Sequence, residues 1–311
     1  MPLPQKPDYP NFKKVFRGGC DTVRDPSLLE VGDFSYIKNM RGMHPGMETR
    51  PGQIKLHATA DGTNRVETLY QFSKGRITER HFFAQMSDGD VLEATDAPPT
   101  VGAGAFGTGV FAGDSAGRPA AWSIIDDKLL YSNGKDQHQI FAGNDNPVDA
   151  FVVYRGTGAI PSIPDTGEDY SSEVMDSGSD TEAVLDDLST LTDYDCIFIM
   201  TDVRAKAFNF IFKDGSTNGS NAVLAGKYRK NNSTWAALSG LSDGTNVGTV
   251  TMNQNGKVSF TQPTDDMTKF MFGRCGFWYM FYLSSGSLDS DVRVQQLTYD
   301  ADWQSIENVW D

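Results

Sequence analysis

The chain has 311 residues, 39% hydrophobic and 11% aromatic, enough to bury real cores and to exclude wholesale disorder. Its net charge is −14, from 27 basic and 41 acidic residues, so the clustered cations that a nucleic-acid reader needs are missing. The longest apolar runs, such as 275–283, are strand length, which excludes a membrane-spanning helix, and Met1-Pro-Leu-Pro-Gln-Lys-Pro7 lacks the apolar core of a secretory signal. Cys20, Cys196 and Cys275 lie far apart and read as buried reduced thiols. His44, His57, His81 and His138 show no ligand spacing, so there is no zinc signature. No cofactor is expected.

Residues 1–15 are rich in Pro and Lys and read as an extended arm, either packed on a neighbour or frayed. A short strand ending in Gly18-Gly19 follows, then a turn at Asp25-Pro26 and a polar-apolar run to Asn39-Met40. A Gly/Pro-rich hairpin tip then leads into another strand beyond Arg50-Pro51. Residues 66–72, 81–86 and 91–94 read as strands, the last two flanking Ser87-Asp-Gly-Asp90, a favoured hairpin corner. The unit recurs: 122–125, a turn at Asp126-Asp127, 128–131, then Ser132-Asn-Gly134. Repeated strand pairs at this spacing suggest propeller blades, and two units cannot close a propeller. Residues 16–155 are therefore expected to be either a small open antiparallel sheet or part of a propeller that continues beyond Asp311.

Between Arg155 and Arg204 there is no Lys or Arg, while twelve acidic residues occur. Residues 156–192 read as an acidic linker, with three meanings open: a solvated connector, a calcium site around Asp176 and Asp180, or a face that repels passing DNA. Val184, Leu185, Leu188 and Leu191 at helical spacing, with Asp180 as a cap, predict one short helix over 180–191. From 193 to 297 the pattern changes to seven candidate strands at 196–200, 207–212, 222–228, 248–252, 257–260, 276–283 and 292–297. Separated by Gly/Asn turns, they read as a β-sandwich filled by Trp235, Trp278, Phe210, Phe212 and Phe281. Residues 298–311 read as an exit strand. The fold class expected is all-β: a propeller-like or open-sheet region, a short helix, then a sandwich.

Catalytic chemistry is not legible. Gly102-Ala-Gly104-Ala-Phe-Gly107 matches a dinucleotide loop on paper, but Pro98-Pro99 precedes it where a strand is needed. No G-x-S-x-G occurs, and no histidine sits in a catalytic setting. A carboxylate pair for glycoside hydrolysis remains open in any chain with 41 acids. Trp235 beside Asn232 and Asp243 offers the aromatic, amide and carboxylate that bind sugar, or else a core anchor.

The run F-R-G-G-C-D-T-V-R-D-P-S-L-L-E-V-G-D-F-S-Y-I-K-N-M from Phe16 to Met40, with R-G-M-H-P-G-M-E-T-R-P-G after it, resembles the opening of tail proteins of tailed bacteriophages. A second resemblance lies in K-Y-R-K-N-N-S-T-W (ending at Trp235), L-S-D-G-T (ending at Thr245), N-G-K-V-S-F (ending at Phe260) and G-F-W-Y (ending at Tyr279). It is similar to the β-sandwich modules of phage tail and baseplate proteins. Arg229 stands where an aromatic is common, and Phe277-Trp278-Tyr279 shifts the aromatic pair. These resemblances imply a non-enzymatic structural protein of the virion tail, made in the host cytoplasm. It would assemble as a homo-oligomeric ring with other tail proteins around passing DNA. Gly18, Gly19, Met40, Arg50 and Pro51 are the implied subunit contacts. The alternative is a host-receptor or carbohydrate-binding module of a tail fibre. No membrane is expected as a partner.

Overall fold

A computed structural model describes residues 19–20, 33–34, 40–43, 46–49, 64–74, 79–94, 105–114, 118–156, 164–178, 180–190, 192 and 194–306. The chain divides into two compact units, Met1–Leu56 and His57–Asp311. Among the described residues it is all-β, with several open antiparallel sheets, none closed into a barrel, and one short helix.

In the first unit, β1 (Gly19–Cys20) pairs in parallel with β2 (Asp33–Phe34). Strands β3 (Met40–Met43) and β4 (Gly46–Thr49) form the hairpin expected from the Gly/Pro tip, with Met40 opposite Thr49.

The second unit opens with a meander of β5 (Val66–Ser73), β6 (Arg80–Met86), β7 (Val91–Ala94) and β8 (Phe106–Phe111). The Ser87–Asp90 corner works as its residues dictate: Gly89 takes φ of 99°, and the Met86 amide donates to Asp90 O at 2.8 Å. Strands β9 (Ala121–Ile125), β10 (Lys128–Ser132) and β11 (Gln139–Phe141) begin a second sheet. Asp126 and Asp127 turn its first hairpin with φ of 49° and 57°, the doubly left-handed geometry that matches strand twist. The two sheets share one aromatic core. Phe72, Phe83, Val91, Leu129, Tyr131 and Phe141 are buried in it, with Tyr70, Phe111, Trp122 and Trp303 packed against them.

After β11 the chain leaves this layer. β12 (Gly143–Pro147) and β13 (Ala150–Arg155) enter two different sandwich sheets. Next come β14 (Glu168–Asp169), α1 (Ser171–Met175) and β15 (Ala183–Val184). The rest is β16 (Asp195–Thr201), β17 (Ala207–Phe212), β18 (Ala222–Arg229), β19 (Trp235–Ala237), β20 (Ser242–Asp243), β21 (Gly256–Ser259), β22 (Lys269–Met271), β23 (Arg274–Gly286) and β24 (Arg293–Ala301). One sheet runs β12-β24-β17-β21-β20, with β15 also on β24; the other runs β14-β13-β16-β23-β18-β19, with β22 also on β23. Finally β25 (Gln304–Ser305) returns to the aromatic layer and pairs with β11, setting Ile140 opposite Gln304. The second meander is thus completed to four strands by a segment that follows the whole sandwich. The sandwich is an insertion between its third and fourth strands.

The second sandwich sheet is apolar on both faces. Ile197, Ile199, Tyr279 and Phe281 face the partner sheet, while Cys196, Phe198, Met200, Trp278 and Met280 form a separate cluster on the far side. Two-sided burial is why β16 and β23 read as unbroken apolar runs rather than alternating ones. The Cys196 thiol lies in this far cluster, and burial pushes its pKa well up, as expected of an inert core cysteine. Cys275, by contrast, is exposed, which corrects its reading as a buried thiol: it stands opposite the exposed Phe270 in the β22–β23 hairpin.

Four expectations need correction. The helix is α1, not 180–191: Ala183 and Val184 pair with β24, Leu185 N donates to Val292 O, and Asp187 turns the chain at φ of 54°. The extended form wins because β24 offers hydrogen-bond partners to this backbone, while Leu185 and Leu188 still reach the core. Residues 156–192 are not a free linker, since Val174, Ala183, Leu185 and Leu188 are fully buried in the sandwich. Cations from distant strands meet its acids: Lys213 with Glu182 at 2.7 Å, Arg293 with Asp186 at 2.9 Å and Arg274 with Asp169 at 3.1 Å. The expected strand at 248–252 is a turn closed by reciprocal Val247–Val250 amide bonds. Finally, the sandwich spans β12 to β24, wider than 193–297, and residues 298–301 belong to it.

Candidate functional site

Two clefts of the second unit adjoin where the aromatic layer meets the sandwich. The β9–β10 hairpin overhangs the sandwich corner there, leaving neighbouring clefts of about 660 and 320 Å³ that share Asp126, Lys128 and Asp202. The larger also holds Lys74, Asp127, Asp145 and Asp149. Lys128 reaches from β10 to Asp202 at 2.6 Å, and the Tyr299 hydroxyl donates to the same carboxylate at 2.6 Å. Burial, aided by Asp202, raises the Asp149 carboxyl to about 6, and its Oδ2 is sealed without a partner. Two carboxyls with divergent environments are the raw material of acid–base catalysis. Here Asp202 is held by Lys128 and the Tyr299 hydroxyl, and Asp149 Oδ2 is closed to solvent.

A carboxyl whose folded pKa is raised binds protons more tightly in the folded state. Its stabilising effect is present below the unfolded value of 3.8 and is lost as pH rises through about 6. Asp149→Asn is therefore expected to raise stability by about 2 kcal/mol at pH 8 and by little at pH 4. Urea unfolding at both pH values checks this; equal effects at the two would contradict it.

Above the cleft, an ionic ladder ties the first meander to the entry of the sandwich. Lys74, whose side chain is 3% exposed, donates to Ala142 O at 2.9 Å, Asn146 Oδ1 at 2.8 Å and Asn144 O. Glu79 accepts from the Asn144 amide at 3.0 Å and from Asn144 Nδ2 at 2.6 Å. His81 bonds Glu79 through Nε2 at 2.6 Å and Glu93 through Nδ1 at 2.5 Å. Burial alone would lower the His81 pKa, but the two carboxylates override it and raise it to about 9, so the ring is an imidazolium at neutral pH. Its ring stacks on Phe83 at 5.8 Å and on Phe72 at 6.2 Å. Gly143 is required in the ladder: its φ is 69°, and a Cβ there would stand 2.9 Å from the Glu79 carboxylate. The histidine spacing gave no sign of this, because Glu93 arrives from the next strand and Asn144 from the far side of the aromatic layer.

The residues singled out from sequence fall elsewhere. Gly19 lies in β1 and Met40 in β3, while Gly18, Arg50 and Pro51 are outside the described residues, as are Gly102 and Gly104. Residues 106–111 form a strand rather than the helix a dinucleotide loop requires. Asp176 follows α1 and accepts from the Gly178 amide at 3.0 Å; Asp180 is exposed. Among the described residues no three His, Cys, Asp or Glu side chains are grouped to hold a metal.

The proposed sugar constellation is not assembled. Trp235 is half-buried in one sandwich sheet and Asp243 belongs to the other. Asp243 accepts from Thr245 N at 2.9 Å, Thr245 Oγ1 at 2.6 Å and Thr251 Oγ1 at 2.5 Å; Asn232 Oδ1 accepts from Thr234 N and Oγ1. Both polar groups hold their own loops. No protein-family model matches the chain, and none of the curated proteins searched matches its sequence.

Proposed function

We propose that the protein is a structural component of a bacteriophage tail that works by assembly, forming a homo-oligomeric ring with other tail proteins around the DNA path. The observation that carries assembly is the pair of strand edges in the aromatic layer that have no partner among the described residues. Edge strand β5 exposes Val66 and Leu69, at 38% and 50%, and edge strand β9 exposes Ile124 and Ile125, at 43% and 55%. Unpaired edges that carry apolar side chains are aggregation-prone unless another strand or surface covers them. Two four-stranded sheets packed face to face on aromatics also have the form of consecutive propeller blades, and further sheets would cover the open faces. The phage-tail setting rests on the resemblance of 16–52 and of the sandwich motifs. The alternative, a glycan-binding sandwich, has the half-buried Trp235 in its favour.

The test is peptide mass spectrometry on purified virus particles, with abundance compared with a tail component of known copy number. Peptides at a fixed multiple are expected. In parallel, Leu69→Lys with Ile125→Lys is expected to reduce assembly mass by light scattering while shifting the thermal midpoint by under about 3 °C, because exposed substitutions cost little. Absence from intact particles would overturn the tail reading; unchanged assembly by the double variant would remove the edges from it.

A further inference from the structure

On the far face of the second sandwich sheet, β18 carries Lys227 and Arg229 two residues apart, about 7 Å along an extended strand. Arg229 is only 4% exposed. No carboxylate faces it: the one influence on its pKa is burial, which lowers it. Its guanidinium makes no hydrogen bond or ion pair among the described residues, and Nε is sealed from solvent without a partner. Among the described residues, the group that meets its charge is the Trp235 ring across the β18–β19 pair, 5.3 Å from Cζ to centroid. Lys227 stands likewise over the half-buried Tyr282 ring, at 5.1 Å, with no ion pair. In a chain of net charge −14, two neighbouring cations without an acid are unusual.

A cation held this deep without a counter-charge works against folding, and an apolar side chain of similar volume would be tolerated better. Arginine offers a planar fork that pairs with a carboxylate or sulfate in two parallel bonds. With Nε sealed, the terminal nitrogens are the part a ligand can reach. Half-buried indole and phenol rings beside two cations suit a ligand that is apolar on its faces and anionic at one group, which a bare inorganic ion is not. We propose that the Arg229–Trp235 face, with Lys227 and Tyr282, binds an acidic saccharide through its carboxylate or sulfate. The site refines the glycan-binding alternative and is independent of the tail setting. It replaces the Asn232 and Asp243 contacts with Arg229.

The test titrates the full chain by calorimetry, at low salt, with a carboxylated hexagalacturonate, a sulfated heparin hexasaccharide and neutral maltohexaose. Binding of at least one acidic oligosaccharide is expected, weakened tenfold or more in Arg229→Met and by added salt, with maltohexaose silent; which acid binds identifies the group recognised. Arg229→Met is expected to unfold at or above the wild-type temperature. Should that variant not fold, Arg229→Lys, which keeps the charge and loses the fork, is expected to show the same weakening. Unchanged affinity in these variants, or no binding by either acidic ligand, overturns the proposal. Equal binding of maltohexaose overturns it in favour of neutral-sugar recognition. Loss of self-association in Arg229→Met without saccharide binding overturns it in favour of a carboxylate from a second copy.

Discussion

Trp303→Ala is expected to lower stability by about 3–5 kcal/mol, the usual range for deleting a large ring from a packed core. Trp303 sits in the two-residue link between β24 and β25, wedged between the two four-stranded sheets. Its ring meets Phe83 at 5.2 Å, Phe141 at 5.3 Å, Phe111 at 5.4 Å, and Trp122 and Tyr131 at 6.4 Å. Those partners come from β6, β8, β9, β10 and β11, so one side chain touches both sheets. This cluster holds the large buried rings of both sheets; the other cluster of the first sheet, Ala84, Met86 and Leu92 with Phe106, is smaller. The sandwich has its own cluster and should survive the change. Urea unfolding is expected to split into two transitions, the earlier one belonging to the aromatic layer. Trp303→Phe should cost less, since Nε1 is sealed without a hydrogen-bond partner and phenylalanine removes that liability. A single transition at the wild-type midpoint in Trp303→Ala would show that the rings do not hold the sheets together.

The second expected result is a loss of stability between pH 6.5 and 9 that depends on His81. Its folded pKa of about 9 lies above the ordinary 6.5, so its contribution is fully present below pH 6.5 and disappears as pH rises through 9. Discounted for the ring's partial exposure, the span is worth about 2 kcal/mol. Glu79 adds to the low-pH side of the profile: despite burial, its bonds to His81 and Asn144 hold its pKa below the ordinary value, so its contribution vanishes as pH falls through that range. His81→Phe keeps the stacking on Phe72 and Phe83 but leaves Glu79 and Glu93 without their shared cation. It is expected to be less stable than wild type at pH 6 and to lose the alkaline slope. Thermal midpoints at half-unit pH steps measure both. A slope that persists in His81→Phe would place the titrating group elsewhere.

The locally encoded features were legible. The Asp-Gly corner before β7, the Asp126-Asp127 turn and the apolar runs of β16 and β23 follow from turn chemistry and side-chain pattern within a few residues, and all are present in the structure. Helical spacing over 180–191 misled because the same four positions also serve an extended segment once β24 lies beside it. The acidic stretch misled for a related reason: its counter-charges, Lys213, Arg274 and Arg293, lie far along the chain and meet it only after folding.

By itself, then, the sequence determined an all-β chain, its hairpin corners and most sandwich strands, since alternation and turn preference act over a few residues. Only the tertiary structure decided that β25 completes a sheet begun before the sandwich, that His81 lies between two carboxylates, and that Arg229 is buried facing none. Each of these depends on strand pairing or on neighbours brought together by folding. A local pattern states which residues will seek burial or a partner; the partner is chosen by the whole fold.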